Sequence, residues 1–110
     1  MTHTKSFERF YEGDCSRDDA QPAIDMCLPM ALSAMTTPTK YAAWKDYATS
    51  CTYIKCMNDR AVLPAMCDVY IARMREAGVD VDVKTMKSGH SPAHVAPQEL
   101  AEAIVRVADA

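Results

Sequence analysis

The stretch "VDVDVKTM", residues 79–86, alternates at every step, with Val79, Val81, Val83 and Thr85 on one side and Asp80, Asp82, Lys84 and Met86 on the other. A period of two predicts a strand with one packed and one wet face, of the kind found at a sheet edge. Upstream, "CTYIKCM", residues 51–57, is rich in β-formers, apolar at most positions, and followed by the turn-prone Asn58, Asp59 and Arg60, which predicts a largely buried strand. Between the two, "VLPAMCDVYIARMREAG" places Leu63, Met66, Cys67, Tyr70, Ile71, Met74 and Ala77 on one helical face, with Pro64 early and Gly78 just past the end. The chain closes on "APQELAEAIVRVADA", a helix with Pro97 near its first position and Glu99 in its first turn. Leu100, Ala103, Ile104, Val107 and Ala108 are expected to face inward. The order strand, helix, strand, loop, helix constrains the fold strongly. Strands joined by a helical crossover of this length lie parallel in one sheet with a right-handed connection.

The first 48 residues have a different character. "SFERFYEGD", residues 6–14, is a short polar-aromatic segment, and "DDAQPAIDMCLPMALSAMT", residues 18–36, carries Ile24, Cys27, Leu28, Ala31, Leu32 and Met35 at helical spacing. Asp18 or Asp19 is expected to cap that helix, Pro22 to sit near its first turn, and Pro29 to kink or split it. "TTPTKYAAWKDYA", residues 36–48, reads as a turn followed by a short helix bearing Tyr41, Trp44 and Tyr47. The division expected is therefore a helical segment over residues 1–48 and an α/β segment over residues 49–110.

A chain of 110 residues can build one compact core, and 49% hydrophobic with 25% charged residues argues for a folded, soluble domain. A net charge of -3 without a Lys/Arg cluster gives no footprint for nucleic acid, and the apolar run around residues 26–35, interrupted by Pro29, is too short to span a bilayer. The opening "MTHTKSFERFYEGD" has no apolar signal core, so a cytoplasmic chain is expected. Its five cysteines, odd in number and without C-x-x-C spacing, then read as reduced, small hydrophobic residues. No motif calls for a cofactor.

Parallel strands point their carboxyl ends the same way, and ligand and catalytic groups gather there because loops vary while strands hold them. Asp59 lies just past the first strand and His90, in "SGHSPAH", just past the second. Neighbouring strands about 4.8 Å apart would let these side chains meet. An aspartate on one imidazole nitrogen fixes the tautomer and leaves the other nitrogen free as a base. Asp59 can equally be a turn residue bonding its own backbone.

Together "TYIKCMNDRAVLP", "KSGHSPAHVAPQELAEAI" and their spacing resemble the C-terminal part of the α/β-hydrolase superfamily, in particular its esterase and hydroxynitrile-lyase-like branch. The resemblance covers residues 49–110. It implies a βαβ-α end of an α/β-hydrolase fold preceded by short cap-like helices, with Asp59 as the triad acid and His90 as the base. Residues 6–48 would then be part of a helical cap, where Met26, Met30, Met35 and Trp44 either line a pocket or simply pack.

The departure from that family is in the nucleophile. Its hydrolases carry a serine on a G-x-S-x-G elbow. Here the glycines are Gly13, Gly78 and Gly89, and none flanks a serine at that spacing. Ser91 adjoins His90, but neighbouring side chains in an extended segment point apart. Cys56 and Cys67 fall on apolar faces, where thiols are inert. His90 and His94 have zinc-like spacing, yet Pro92 between them works against one continuous helix, and no further ligands cluster nearby. Two expectations follow. In one, the chain is a truncated hydrolase or one dependent on a separate N-terminal part, acting on a small ester when that part supplies the serine. In the other, it is a non-catalytic relic or interaction module of hydrolase ancestry, expected to self-associate or to be marginally stable, because a two-stranded sheet leaves edges unpaired.

Overall fold

The computed structural model describes residues 3–46 and 50–110. In chain order the elements are α1 (His3–Phe10), α2 (Arg17–Asp25), α3 (Leu32–Thr36), α4 (Ala43–Asp46), β1 (Ser50–Cys56), α5 (Pro64–Glu76), β2 (Asp80–Met86), α6 (Pro92–Val95) and α7 (Pro97–Ala108). Among the described residues the sheet has two strands, β1 and β2, paired in parallel with Ser50 opposite Asp80 and Cys56 opposite Met86. The fold is a small mixed α/β one, as the strand-helix-strand pattern predicts.

Local chemistry explains how α5 delivers the chain from one strand to the other. Pro64 occupies the helix start, where its missing N–H loses no hydrogen bond. At the far end Gly78 takes φ +87°, a left-handed conformation that a Cβ would strain. Its N–H donates to the Arg75 carbonyl at 2.9 Å, and the Val79 N–H donates to the Met74 carbonyl at 3.1 Å, the paired bonds that reverse a chain at a helix C-terminus. The Arg75 guanidinium then donates to the Val81 carbonyl at 2.8 Å and ties the helix to β2.

Ile71, Val79 and Val81 form the core, with Cys51, Tyr53, Met74 and Val83 packed around them, so α5 covers one face of the sheet. Lys55 is also buried, and its ammonium meets the exposed Asp68 carboxylate of α5, which compensates the charge. Away from this cluster, Ala20 and Ile24 are the buried residues of α2.

Several boundaries and burials differ from expectation, each for a physical reason. The cap of α2 is Ser16, whose Oγ accepts from the Asp19 N–H at 3.1 Å and donates to Asp19 Oδ2 at 2.6 Å; Asp18 and Asp19 sit in the first turn, favoured there by the helix dipole. Pro22 lies inside α2 rather than in its first turn. The helix is split around Pro29 as expected, with α2 stopping at Asp25 and a short α3 starting at Leu32, but the periodic residues of 18–36 do not share one packed face: Ile24 is buried, while Leu28, Leu32 and Met35 are exposed. Trp44 falls on α4, and Tyr47 lies outside the described residues. Strand β1 is half-buried rather than largely buried, because only one of its faces is covered by a closely packed helix. In α7, Leu100, Ala103 and Val107 are half-buried, whereas Ile104 and Ala108 are exposed. Among the described residues no helix is long and apolar enough to cross a membrane.

The Tyr53 phenol sits in this core, where burial and then the neighbouring Cys67 thiol push its pKa from 10.0 up to about 12. A group whose folded pKa exceeds its unfolded one stabilises the fold fully below the unfolded value and loses that contribution as pH rises through the folded value. Stability is therefore expected to fall between about pH 10 and pH 12. Urea midpoints at pH 8 and at alkaline pH should diverge for the wild-type chain more than for Tyr53→Phe, and equal slopes in the two would contradict the assignment.

Candidate active site

Pairing between the two segments continues beyond the strands. The Met57 N–H donates to the Met86 carbonyl at 2.9 Å, and the Asn58 N–H donates to the Ser88 carbonyl at 3.0 Å. These bonds hold the two carboxyl-end loops side by side and bring the residues that follow, Asp59 and His90, within reach.

The structure brings Asp59 and His90 together. His90 Nδ1 lies 3.1 Å from Asp59 Oδ1 and 3.0 Å from Oδ2. A carboxylate can only accept, so Nδ1 carries the proton and Nε2 is left as the basic nitrogen. The Asp59 side chain is 11% exposed and that of His90 36%, which leaves the carboxylate sheltered and the imidazole open to a reactant. Asp59 is also a turn residue: its Oδ1 accepts the Ala61 N–H at 2.8 Å and the Val62 N–H at 2.9 Å. The two readings of Asp59 are thus one arrangement. The turn's own N–H groups orient the carboxylate that grips the histidine.

Residues of the N-terminal helical segment complete the surroundings, and the sequence pattern gives no direct signal for them. Phe10 lies against the His90 ring with centroids 5.0 Å apart and planes inclined by 30°. The Asp14 carboxylate accepts the backbone N–H of Gly89. Arg60, beside Asp59, pairs with Glu12 at 2.7 Å. The one hint in the sequence is the clustering of aromatic and acidic residues in "FERFYEGD".

The other residues weighed from the sequence are engaged elsewhere. His94 belongs to α6, with Nε2 3.2 Å from the Asp19 carbonyl and its ring edge-on to Tyr11 at 5.5 Å. Ser91 precedes that helix, its carbonyl accepting the His94 and Val95 N–H groups. Cys67 is buried in α5 with Sγ toward the Val62 carbonyl, and Cys56 is half-buried at the end of β1. Burial, then the carboxylates of Asp19 and Asp14, push the Cys15 thiol above its ordinary pKa, which keeps it protonated and a poor nucleophile. Among the described residues no group of three or more His, Cys, Asp or Glu side chains is gathered in a metal-binding arrangement.

Near His90 the Ser88 side chain is almost fully buried, and its Oγ has no hydrogen-bond partner among the described residues. A cleft of about 550 Å³ lies elsewhere, between the uncovered sheet face and α7, lined by Thr52, Lys84, Glu99 and Arg106 among others. Its lining includes neither Asp59 nor His90.

Comparison of the chain with protein-family models finds no match, and comparison with curated proteins finds none either. The functional reading therefore rests on the residues and their geometry.

Proposed function

We propose that this chain is the acid-and-base part of an α/β-hydrolase-type esterase, the C-terminal βαβ-α end of that fold with cap-like helices before it. Asp59 orients His90, and His90 acts as general base on a small ester, with the serine nucleophile and oxyanion donors contributed by a separate hydrolase fragment. The observation that supports this best is the two-oxygen contact between Asp59 and His90 Nδ1 past the ends of adjacent parallel strands. In the chemistry, Nε2 takes the serine proton as Oγ attacks the ester carbonyl, and Asp59 stabilises the imidazolium. That proton is then passed to the departing alcohol, and water activated by the same nitrogen releases the acid. A cytoplasmic setting goes with this reading, since its five thiols are free.

The test is turnover of p-nitrophenyl acetate by the chain mixed with a fragment bearing a G-x-S-x-G elbow. Hydrolysis above that of either part alone, lost in His90→Ala, is the expected result. Equal turnover with and without His90 would sink the assignment.

A second reading, a non-catalytic interaction module that self-associates, is favoured by the surface. The chain exposes 8105 Å², against roughly 6,100 Å² for a compact monomer of its mass. Leu28, Met30, Leu32, Met35 and Tyr41 are large apolar residues left exposed, Leu28 at 86%. An excess of roughly 2,000 Å² is on the scale of a stable protein interface. Sedimentation is expected to give concentration-dependent dimers or larger species, weakened in Leu28→Ser. A single monomeric species at all concentrations would contradict this.

A further inference from the structure

The carboxyl-end loops are fastened from outside by one short segment. Residues 10–14 run from the end of α1 through a turn in which Gly13 takes φ +92°, and they touch both loops of the pair. On the Asp59 side, Glu12 holds Arg60. On the His90 side, Asp14 accepts the N–H of Gly89, and Phe10 lies on the imidazole. Tyr11 meets His94 one turn further on.

Two features make this more than incidental packing. Gly89 is buried, and its backbone is not in the left-handed region, so the need for glycine there is one of space. A Cβ at Gly89 would collide with Asp14 Oδ2 and Cγ. The carboxylate therefore occupies the place of a side chain and fixes the residue immediately before the histidine. The second feature is the inclination of Phe10, 30° from the imidazole plane at 5.0 Å. A ring in that position limits rotation of His90 about its last torsion, the motion that would swing Nδ1 away from Asp59.

We propose that residues 10–14 are a strap that positions His90, with Asp14 setting the backbone of its turn and Phe10 the plane of its ring. The inference rests on reading Asp59 and His90 as the working pair. Phe10 and Asp14 are positioning residues, since they act on a reactant only through the histidine. The catalytic role of the N-terminal segment is then to hold the base, whatever else it covers.

The experiment is nitrogen and proton NMR of the His90 ring in the full chain, comparing wild type with Asp14→Ala, Phe10→Ala and the conservative Phe10→Tyr. In wild type the ring is expected in the Nδ1–H form, with that proton protected by Asp59. Asp14→Ala and Phe10→Ala are each expected to speed exchange of the Nδ1 proton by roughly tenfold or more and to mix the tautomers, while amides of Ile71 and Val81 keep their protection. Phe10→Tyr should restore the wild-type ring signals, which a general loss of stability would not allow. Unchanged His90 signals in folded Asp14→Ala and Phe10→Ala overturn the proposal. Should Asp14→Ala fail to fold, Gly89→Ala, which pushes the same carboxylate off the turn, decides in its place by the same two outcomes. The readout needs no ester turnover, so variants that shift the ring signals, in a chain that gives no turnover even when mixed with the G-x-S-x-G fragment, would refute the esterase reading and leave the strap standing.

Discussion

Asp59→Asn is expected to cut ester turnover of the complemented protein by roughly a thousand- to ten-thousand-fold without unfolding it. The reason lies in how the carboxylate is held. Oδ1 accepts the N–H groups of Ala61 and Val62, and an asparagine oxygen can take over both bonds. The amide nitrogen must then occupy the other position, the one that Oδ2 holds 3.0 Å from His90 Nδ1. Oδ1, though 3.1 Å from Nδ1, is already engaged by two backbone N–H groups, so a donor at the nearer position favours the tautomer in which Nδ1 accepts and the ring proton sits on Nε2, the nitrogen that would meet the serine. The turn survives while the base is lost. His90→Ala should give a comparable loss, and the double variant little more, because residues acting as one unit are not additive. Saturating-substrate kinetics with circular dichroism as the folding control checks this. Full activity in Asp59→Asn would mean that the pair is structural.

The second large effect is on stability. Ile71→Ala is expected to cost about 3 kcal/mol, in the range for removing a buried branched side chain and leaving a cavity. Ile71 is 4% exposed and belongs to the buried cluster that it forms with Val79 and Val81. A domain of this length has about 5 kcal/mol or somewhat more in hand, so the variant should keep about 2 kcal/mol, stay mostly folded at 25 °C and unfold at a urea midpoint roughly half that of wild type. Substitution of an exposed apolar residue such as Met30 should change monomer stability by less than about 0.5 kcal/mol. Urea melts followed by tryptophan fluorescence and circular dichroism measure both. Equal midpoints for Ile71→Ala and wild type would show that the cohesion of the fold lies outside the contact between α5 and the sheet.

The parts of the fold legible in the sequence are those governed by local rules. Alternation in "VDVDVKTM" found β2, Pro64 and Gly78 bracketed α5 to within a residue or so, and the order of elements predicted parallel pairing. Parallel pairing in turn placed Asp59 and His90 at one edge, and their contact follows from it. Apolar periodicity misled where it says nothing about the partner surface. The run at residues 51–57 reads as buried, yet a strand is buried only as far as both its faces are covered. The stripe from Ile24 to Met35 reads as an inward face, yet once the helix is split around Pro29, as that residue predicts, the second half is left without a surface to pack on.

By itself, then, the sequence determined the βαβ-α order, the strand ends and the residue types that reach the carboxyl edge, because each is written in spacings of a few residues. Only the tertiary structure decided what surrounds the histidine. Asp14 and Gly89 are 75 positions apart, and no local propensity of either registers the other. Their contact depends on where α1 and α2 come to rest, and so does the ring of Phe10 on His90. A glycine before a histidine is an ordinary turn signal in sequence; in the folded chain it is the space that a distant carboxylate fills.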